Sequence, residues 1–493
     1  MIDSSLILDG YSYNKCGSEF TAKFKPFRVN HIASFSCLSF FLSLDPDCNL
    51  PRYCSMIGNQ KLLSINFSPL SHKADMAIKA RDRRLTVLHV ATLNQPIKPD
   101  LGYGPIETVI YNIDKGLHAL GHRSIVACSG DSGVAGEHYV TIEKSMGNYW
   151  SQDNPEKRKT LNVHLSKAAD RIRMGDIDVI HTHDLKTLEY IYDAVSGMHV
   201  PIVMTLHVAA KNYLVEGAFR RWCKPMSSPQ VYCIPISEYQ KQDYKGLKTG
   251  NVVYHGIEVE RYPVKKNPDR ESYLFTIGRV TRDKGQDKAI EVARKTGSKL
   301  IIAGCVQDKA ADREFFEELK DSIDLFVDIG KQPVDGDYFE DVIKPLLDCD
   351  EQIIYIGEVG SEYKKQWYRH ARATLFPIQW GEPFGLVLIE SMACGTPVIA
   401  LNRGAVPEII VDGKTGFVVD SLSAMIEAVD RIDNINPHEC RRHVQDNFSI
   451  ASMAYKYSDL YQQIVIDHKR SLSYRQLLID YFPNPLQLGI IAT

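Results

Sequence analysis

Residues Ala373 to Leu401 read ATLFPIQWGEPFGLVLIESMACGTPVIAL. The first seven residues form an apolar run of strand length, Trp380 to Gly385 a loop with glycines at 381 and 385, Leu386 to Gly395 a largely apolar helix, and Thr396 to Leu401 a second strand. A buried helix joining two apolar strands is a right-handed βαβ unit of a parallel sheet. Two carboxylates, Glu382 and Glu390, bracket its helix start. Burying an unpaired charge there costs several kcal/mol, so a polar partner has to meet them. Gly385 lets a ligand approach the backbone, and the free amides of the helix start form an anion seat. Glu390 lies five residues further on, about 7.5 Å along a helix. A carboxylate accepts from two hydroxyls at once. The pair therefore suits a ligand with an anionic centre at one end and vicinal hydroxyls at the other, as in a nucleoside diphosphate-sugar. On spacing alone, Glu382 as a loop charge and Glu390 as an exposed helix residue remain an alternative.

The same alternation extends in both directions. Upstream come TVLHVATL (86–93), the helical IETVIYNIDKGLHALGH, RSIVACSG (123–130), IDVIHTHD (177–184) and PIVMTLH (201–207). A second series holds SYLFTIGRV, KLIIAG, QIIYIGE, ATLFPIQ, TPVIAL and GFVV. Strands separated by amphipathic helices predict two open α/β domains in tandem, with ligands collecting at the carboxyl ends of the strands. The expected boundaries are a poorly ordered extension at 1–80, of which residues 1–75, ahead of Met76, are expected to be dispensable for function, a first α/β domain at 81–255 and a second at 256–448. A helix at 449–470 is expected to pack back on the first domain, followed by a tail at 471–493.

Composition narrows the function. At 493 residues the chain exceeds one hydrophobic core. With 44% hydrophobic and 24% charged residues it has the profile of a soluble globular protein. A net charge of −3 offers no global attraction to nucleic acid or anionic membrane, so anion binding must be local. Eleven cysteines without a C-x-x-C pair indicate free thiols in a reducing compartment and no cysteine metal site. The longest apolar run, Ile32 to Leu44, is too short to cross a bilayer core of about 30 Å.

Three further stretches carry chemistry. In TIGRVTRDKGQDKAIEVA (276–293), Gly278 turns a strand end toward Arg279 and Lys284, which together could neutralise a pyrophosphate; a solvated basic loop is the plainer reading. In PDLGYGPIETVI (99–110), Gly102 and Gly104 permit close backbone approach, but Glu107 stands where a dinucleotide fingerprint needs its third glycine. His181, His183 and His207 close consecutive strands. Two histidines one residue apart suggest a metal, but no third ligand is legible, so no metal is expected.

Together these residues resemble the retaining glycosyltransferases of family 4. The resemblance runs from about Leu85 to Asp420 and rests on the Glu382/Glu390 pair with its flanking PFG and MACGTPVIA, and on Arg279 with Lys284. It implies the GT-B fold: two Rossmann-like α/β domains facing each other across a cleft, the first for the acceptor and the second for the nucleotide-sugar. It further implies that Glu382 contacts the donor sugar, Glu390 holds the ribose hydroxyls, Arg279 and Lys284 bind the diphosphate, and His207 reaches the sugar or its phosphate. Phe384, Gly385 and Leu386 would face sugar and phosphates, Gly357 and Val359 the base, and Gly104 phosphate or acceptor. Pro105 replaces the second glycine that relatives often carry. His181 and His183 would shape the acceptor pocket.

The function implied is transfer of a hexosyl group, UDP-glucose being the favoured donor, to a hydroxyl of a glycan, lipid or small metabolite, without metal or cofactor and without nucleic acid. A nucleotide-sugar epimerase or hydrolase of the same fold, or an inactive sugar-nucleotide-binding protein, is the alternative. The expected location is cytoplasmic, with peripheral contact at the membrane face for a lipid acceptor. Arg220 to Trp222, near Lys211 and Lys224, is the candidate patch for that contact, with solvated surface as the plainer reading.

Overall fold

The computed structural model describes residues 83–99, 101, 104–147, 154–209, 225–244, 249–264, 273–331 and 336–481, together with the backbone of five short strands within the first 66 residues. Those five, Asn14–Cys16, Glu19–Thr21, Ser39–Leu44, Pro51–Gly58 and Lys61–Asn66, pair antiparallel in chain order within a unit that ends at Arg83. Elsewhere in that unit the expected poorly ordered extension lies outside the described residues, as do Gly102, the patch at Arg220 to Trp222 with Lys211 and Lys224, and the tail beyond 481.

Residues 84–493 form the second unit, with two parallel sheets. The first holds β1 (Thr86–Val90), β2 (Arg123–Ser129), β3 (Glu137–Ile142), β4 (Val179–Thr182), β5 (Ile202–Thr205) and β6 (Val231–Ile234) in the order β6-β5-β4-β1-β2-β3. The strand order reverses between β4 and β1, which opens a crevice at their carboxyl ends. Helix α1 (Pro105–Ala119) starts there. Its proline sits at the first helical position and Glu107 in the first turn, and Val109, Ile110, Ile113 and Leu117 form one buried stripe. Helices α2 (Pro155–Arg173) and α3 (Leu185–Ala194) cover the other face; Asn154 caps α2 through the Glu156 amide, and Asp184 caps α3 through that of Thr187. A short helix α4 (Glu238–Asp243) follows β6.

The second sheet has seven strands: β7 (Leu274–Ile277), β8 (Leu300–Ala303), β9 (Leu325–Phe326), β10 (Ile353–Tyr355), β11 (Ala373–Phe376), β12 (Val398–Leu401) and β13 (Gly416–Val419), ordered β9-β10-β8-β7-β11-β12-β13. Its helices are α5 (Gln286–Thr296), α6 (Ala310–Lys320), α7 (Lys344–Asp348), α8 (Ser361–His370), α9 (Leu386–Ala393), α10 (Val406–Ile409), α11 (Leu422–Arg431) and α12 (Pro437–Asn447). The opening stretch is thus β11, a loop, α9 and β12. Leu388, Ile389, Met392 and Ala393 are fully buried, which explains why α9 lacks a polar face.

Helix α13 (Ile450–Tyr481) runs past the expected end at 470. It returns to the first domain, where Met453, Tyr457, Leu460, Tyr461, Ile464 and Val465 share one core with Leu85, Val87, Val109, Ile113 and Leu117. Among the described residues no helix is long and apolar enough to cross a membrane.

Gly116 of α1 is what lets α13 come this close, because a Cβ there would lie 2.4 Å from that of Ala454. Gly116→Leu is expected to cost about 1–3 kcal/mol by overpacking. Urea unfolding followed by circular dichroism measures this, and a midpoint equal to that of the unsubstituted chain would contradict the tight α1–α13 contact.

Candidate active site

The carboxyl ends of both sheets face one cleft with two adjoining lobes. Gly104, Gly278, Arg279, Leu386 and Val387 line both. One lobe, a cavity of about 420 Å³, contains Lys284, Glu382, Phe384, Gly385, His207 and Glu107. The other, of about 210 Å³, contains Glu390, Val359, Glu358, Lys364 and Tyr368. The residues expected to bind the donor or to act in catalysis therefore line the cleft, except Gly357, which accepts the Gly304 amide at 2.8 Å.

Lys284 and Glu382 meet as an ion pair, Nζ to Oε2 at 2.7 Å, both side chains mostly buried. The plainer readings, a loop charge and a solvated basic loop, do not hold for these two. The Lys284 ammonium also stands 5.6 Å from the centroid of Trp380 and 5.8 Å from that of Phe376, a cation–π setting. Its loop is fixed by Gly285, at φ 71°, where a Cβ would fall 2.2 Å from the Pro377 carbonyl at the exit of β11. Only glycine combines that left-handed backbone with such an approach. Arg279 donates through Nη1 to Gln307 at 3.1 Å, and Gln286 holds the Arg279 carbonyl at 2.9 Å. The guanidinium and ammonium are thus aimed across the same lobe, where a diphosphate would meet a fork and a point charge.

Glu390 is buried and accepts from Lys364 Nζ at 2.6 Å, Tyr368 OH at 3.1 Å and Tyr262 OH at 3.4 Å. Burial and the Glu390 charge push both phenols well above their ordinary range, which keeps them as neutral donors. These three partners were not foreseen from sequence. The signal available was weak: Lys364 and Tyr368 are four residues apart on α8, so they share a helix face.

The histidines differ from expectation. His207 lines the larger lobe, with its Nε2 3.1 Å from His183 Nδ1, and burial lowers it to about 3. His181 and His183 are fully buried and line neither lobe, which corrects their assignment to an acceptor pocket. A third histidine also exists: His89 on β1 pairs in register with His181 on β4, and nitrogens of His89, His181 and His183 lie within 4.8 Å of one another. Yet His181 is bracketed by the Thr205 and Tyr461 hydroxyls at 2.7 Å each, so neither of its nitrogens is free to ligate. The trio suits an uncharged imidazole network better than a tris-imidazole ligand set.

Comparison with known proteins agrees with this geometry. The family model described as "Glycosyltransferase Family 4" matches residues 104–261, and that described as "Glycosyl transferases group 1" matches residues 259–447. The D-inositol 3-phosphate glycosyltransferase of Paenarthrobacter aurescens (strain TC1) is 25% identical over 289 residues, covering 54% of this chain and 67% of the relative. Among solved structures, sucrose-phosphate synthase from Thermosynechococcus elongatus aligns with 77% of this chain and 99% of its own, at a TM-score of 0.57 and 18% identity. The Anabaena protein HepE, solved in complex with UDP-glucose, aligns at a TM-score of 0.56 and 15% identity over 77% of this chain and 100% of its own. The molecule is an enzyme of the glycosyltransferase class with two facing Rossmann-like domains. The chain belongs to glycosyltransferase family 4 and has the GT-B fold.

Burial lowers His89 to about 4 and His207 to about 3, against 6.5 in an unfolded chain. Between pH 6.5 and about 4 the unfolded state then binds protons that the folded state refuses, so stability is full above 6.5 and is lost as pH falls through this window. His89→Leu is expected to flatten the urea midpoint against pH between 4 and 6.5. A slope as steep as that of the unsubstituted chain would show that His89 is not held neutral.

Proposed function

We propose that this enzyme moves a hexosyl group from a nucleotide-sugar, UDP-glucose above others, to a hydroxyl acceptor with retention of anomeric configuration. The observation that carries the reading is the placement of Lys284 paired with Glu382, and Arg279 beside them, in a lobe that opens directly onto the one holding Glu390. A nucleotide-sugar laid through both would put ribose at Glu390, diphosphate at Arg279 and Lys284, and sugar at Glu382 and His207.

In this scheme the leaving diphosphate gains charge where fixed cations and the amides at the start of α9 already point. Such preorganised stabilisation is commonly the largest single catalytic contribution. Glu382 positions the sugar. The acceptor attacks from the face the diphosphate leaves, and a departing phosphate oxygen takes the acceptor proton, so no carboxylate has to act as a nucleophile and the residues named suffice without a metal. The name of the inositol-phosphate relative extends the acceptor range to hydroxyls of small polyols, beside glycans and lipids. Free buried thiols at Cys128, Cys233, Cys394 and Cys440 are consistent with work in the cytoplasm.

Calorimetry with UDP-glucose, UDP-galactose, UDP-N-acetylglucosamine and GDP-mannose in EDTA tests the reading. One donor is expected to bind, and Glu390→Ala and Lys284→Ala are each expected to weaken it by about tenfold or more, as loss of a charge-assisted contact does. Quantitative free sugar or epimer from donor alone would favour a hydrolase or epimerase, and a covalent adduct trapped on Glu382 would overturn the same-face mechanism.

A further inference from the structure

A contact between the two domains lies outside both lobes. Glu408 sits on α10, the short helix that follows β12 in the second domain. Its Oε1 accepts the Tyr239 backbone amide at 2.7 Å, and its Oε2 accepts the Glu238 amide at 2.7 Å and the Tyr254 hydroxyl at 2.9 Å. Glu238 and Tyr239 belong to the first domain, at the start of α4, and Tyr254 to the connector between the domains. In the same turn Ser237 caps the Gln240 amide with its own hydroxyl. A carboxylate from the other domain therefore completes what a local side chain leaves undone.

The contact reaches Glu382 along two paths. Ala405, three residues before Glu408, donates its amide to the Glu382 carbonyl at 2.9 Å. From the other side, Tyr239 lays its hydroxyl against Gly381, where a Cβ would fall 1.9 Å away. Ala405 of the second domain and Tyr239 of the first thus hold the two flanks of the residue that pairs with Lys284. An element that served only to cap α4 would need neither the Ala405 bond nor the bare backbone at 381.

We propose that Glu408 is a positioning residue: by seating the Glu238–Tyr239 turn it couples docking of the first domain to the pose of Glu382, so that the sugar-side lobe is assembled only when the domains are docked. The inference rests on the glycosyltransferase reading for its catalytic consequence, and on the Glu408 contacts alone for its structural one. Glu408→Gln keeps the volume but offers a single acceptor oxygen and turns an NH2 toward a backbone amide. Removing one acceptor from this partly buried, charge-assisted set leaves its donors less well satisfied.

The test uses the full chain, with UDP and UDP-glucose as probes. In Glu408→Gln the affinity for UDP, read by calorimetry, is expected to stay within about threefold of the unsubstituted protein, while turnover of UDP-glucose without acceptor falls about tenfold or more, the pattern of an interaction made at the reacting centre. Hydrogen exchange is expected to quicken in residues 237–244 and 380–386 and to stay unchanged in 353–370. Gly381→Ala, which displaces Tyr239 without touching Glu408, is expected to reproduce the pattern and guards against a folding defect peculiar to one variant. Unsubstituted turnover and exchange in both variants would overturn the proposal, as would UDP affinity falling in step with turnover. If the unsubstituted protein leaves UDP-glucose intact without acceptor, exchange decides alone, and calorimetry with UDP-glucose tells a failed donor assignment from a strict need for acceptor: faster exchange at both segments supports the coupling, and unchanged exchange overturns it.

Discussion

The chain passes between the two α/β domains twice, and the two passages are tied to each other by the backbone. Ile257 donates its amide to the Phe448 carbonyl at 2.9 Å and accepts the Ile450 amide at 3.0 Å. Gly256 packs so tightly on Ser449 that a Cβ would meet its carbonyl at 2.4 Å. Asn112 of α1 holds the Gly256 carbonyl at 2.9 Å, and Lys115 one turn on pairs with Glu258 at 2.5 Å. Backbone bonds of this kind, buried and doubled, set the pivot from which each sheet projects its strand ends. Because both sheets are parallel, all free loops of functional length emerge at those ends. The cleft and its two lobes follow from where the passages cross.

Within the cleft, charge is handled by exchange rather than by exposure. Glu382 is paired with Lys284, and Glu390 with Lys364, all four side chains largely removed from water. A lone buried carboxylate or ammonium would cost several kcal/mol, and pairing lowers that cost. In the proposed binding mode an incoming diphosphate would offer Lys284 a new partner, and ribose hydroxyls would offer Glu390 two donors. Each would replace an internal contact, so that mode needs no large unpaired field in the cleft and fits a chain of near-neutral net charge.

How much of this was legible depended on whether a residue's partner was near it in sequence. The βαβ unit at Ala373 to Leu401 could be read directly, because helix and strand periods differ and its turn residues are local. Glu382, Glu390, Arg279 and Lys284 could be marked as a constellation, since each stands at a strand end or helix start whose geometry is local too. The third histidine could not. His89 meets His181 only because β1 and β4 are register partners across 92 positions of chain, and strand order is a property of the whole sheet. Glu408 was invisible for a similar reason: within VPEII it reads as an ordinary first-turn acid of a short helix, and its partners are the amides of residues 170 and 169 positions away. The extended last helix was underestimated because its apolar residues are spread thinly, and its burial comes from the first domain instead of from its own neighbours.

That helix shows how the parts combine. In sequence it belongs to the second domain, yet Tyr461 reaches His181 at 2.7 Å and Tyr457 reaches Thr205 at 2.8 Å, both beneath the strand ends of the first. The His181 ring lies tilted against that of His183, centroids 4.2 Å apart, and His183 in turn meets His207 in the larger lobe. The floor under His207 is thus finished by residues that arrive only after the chain has completed the second domain. A first domain without α13 would leave the faces of Leu85, Val87 and Val179 exposed and the imidazole row without its hydroxyl partners. The floor of that lobe is therefore a product of both domains, which is why it cannot be read from the first half of the chain alone.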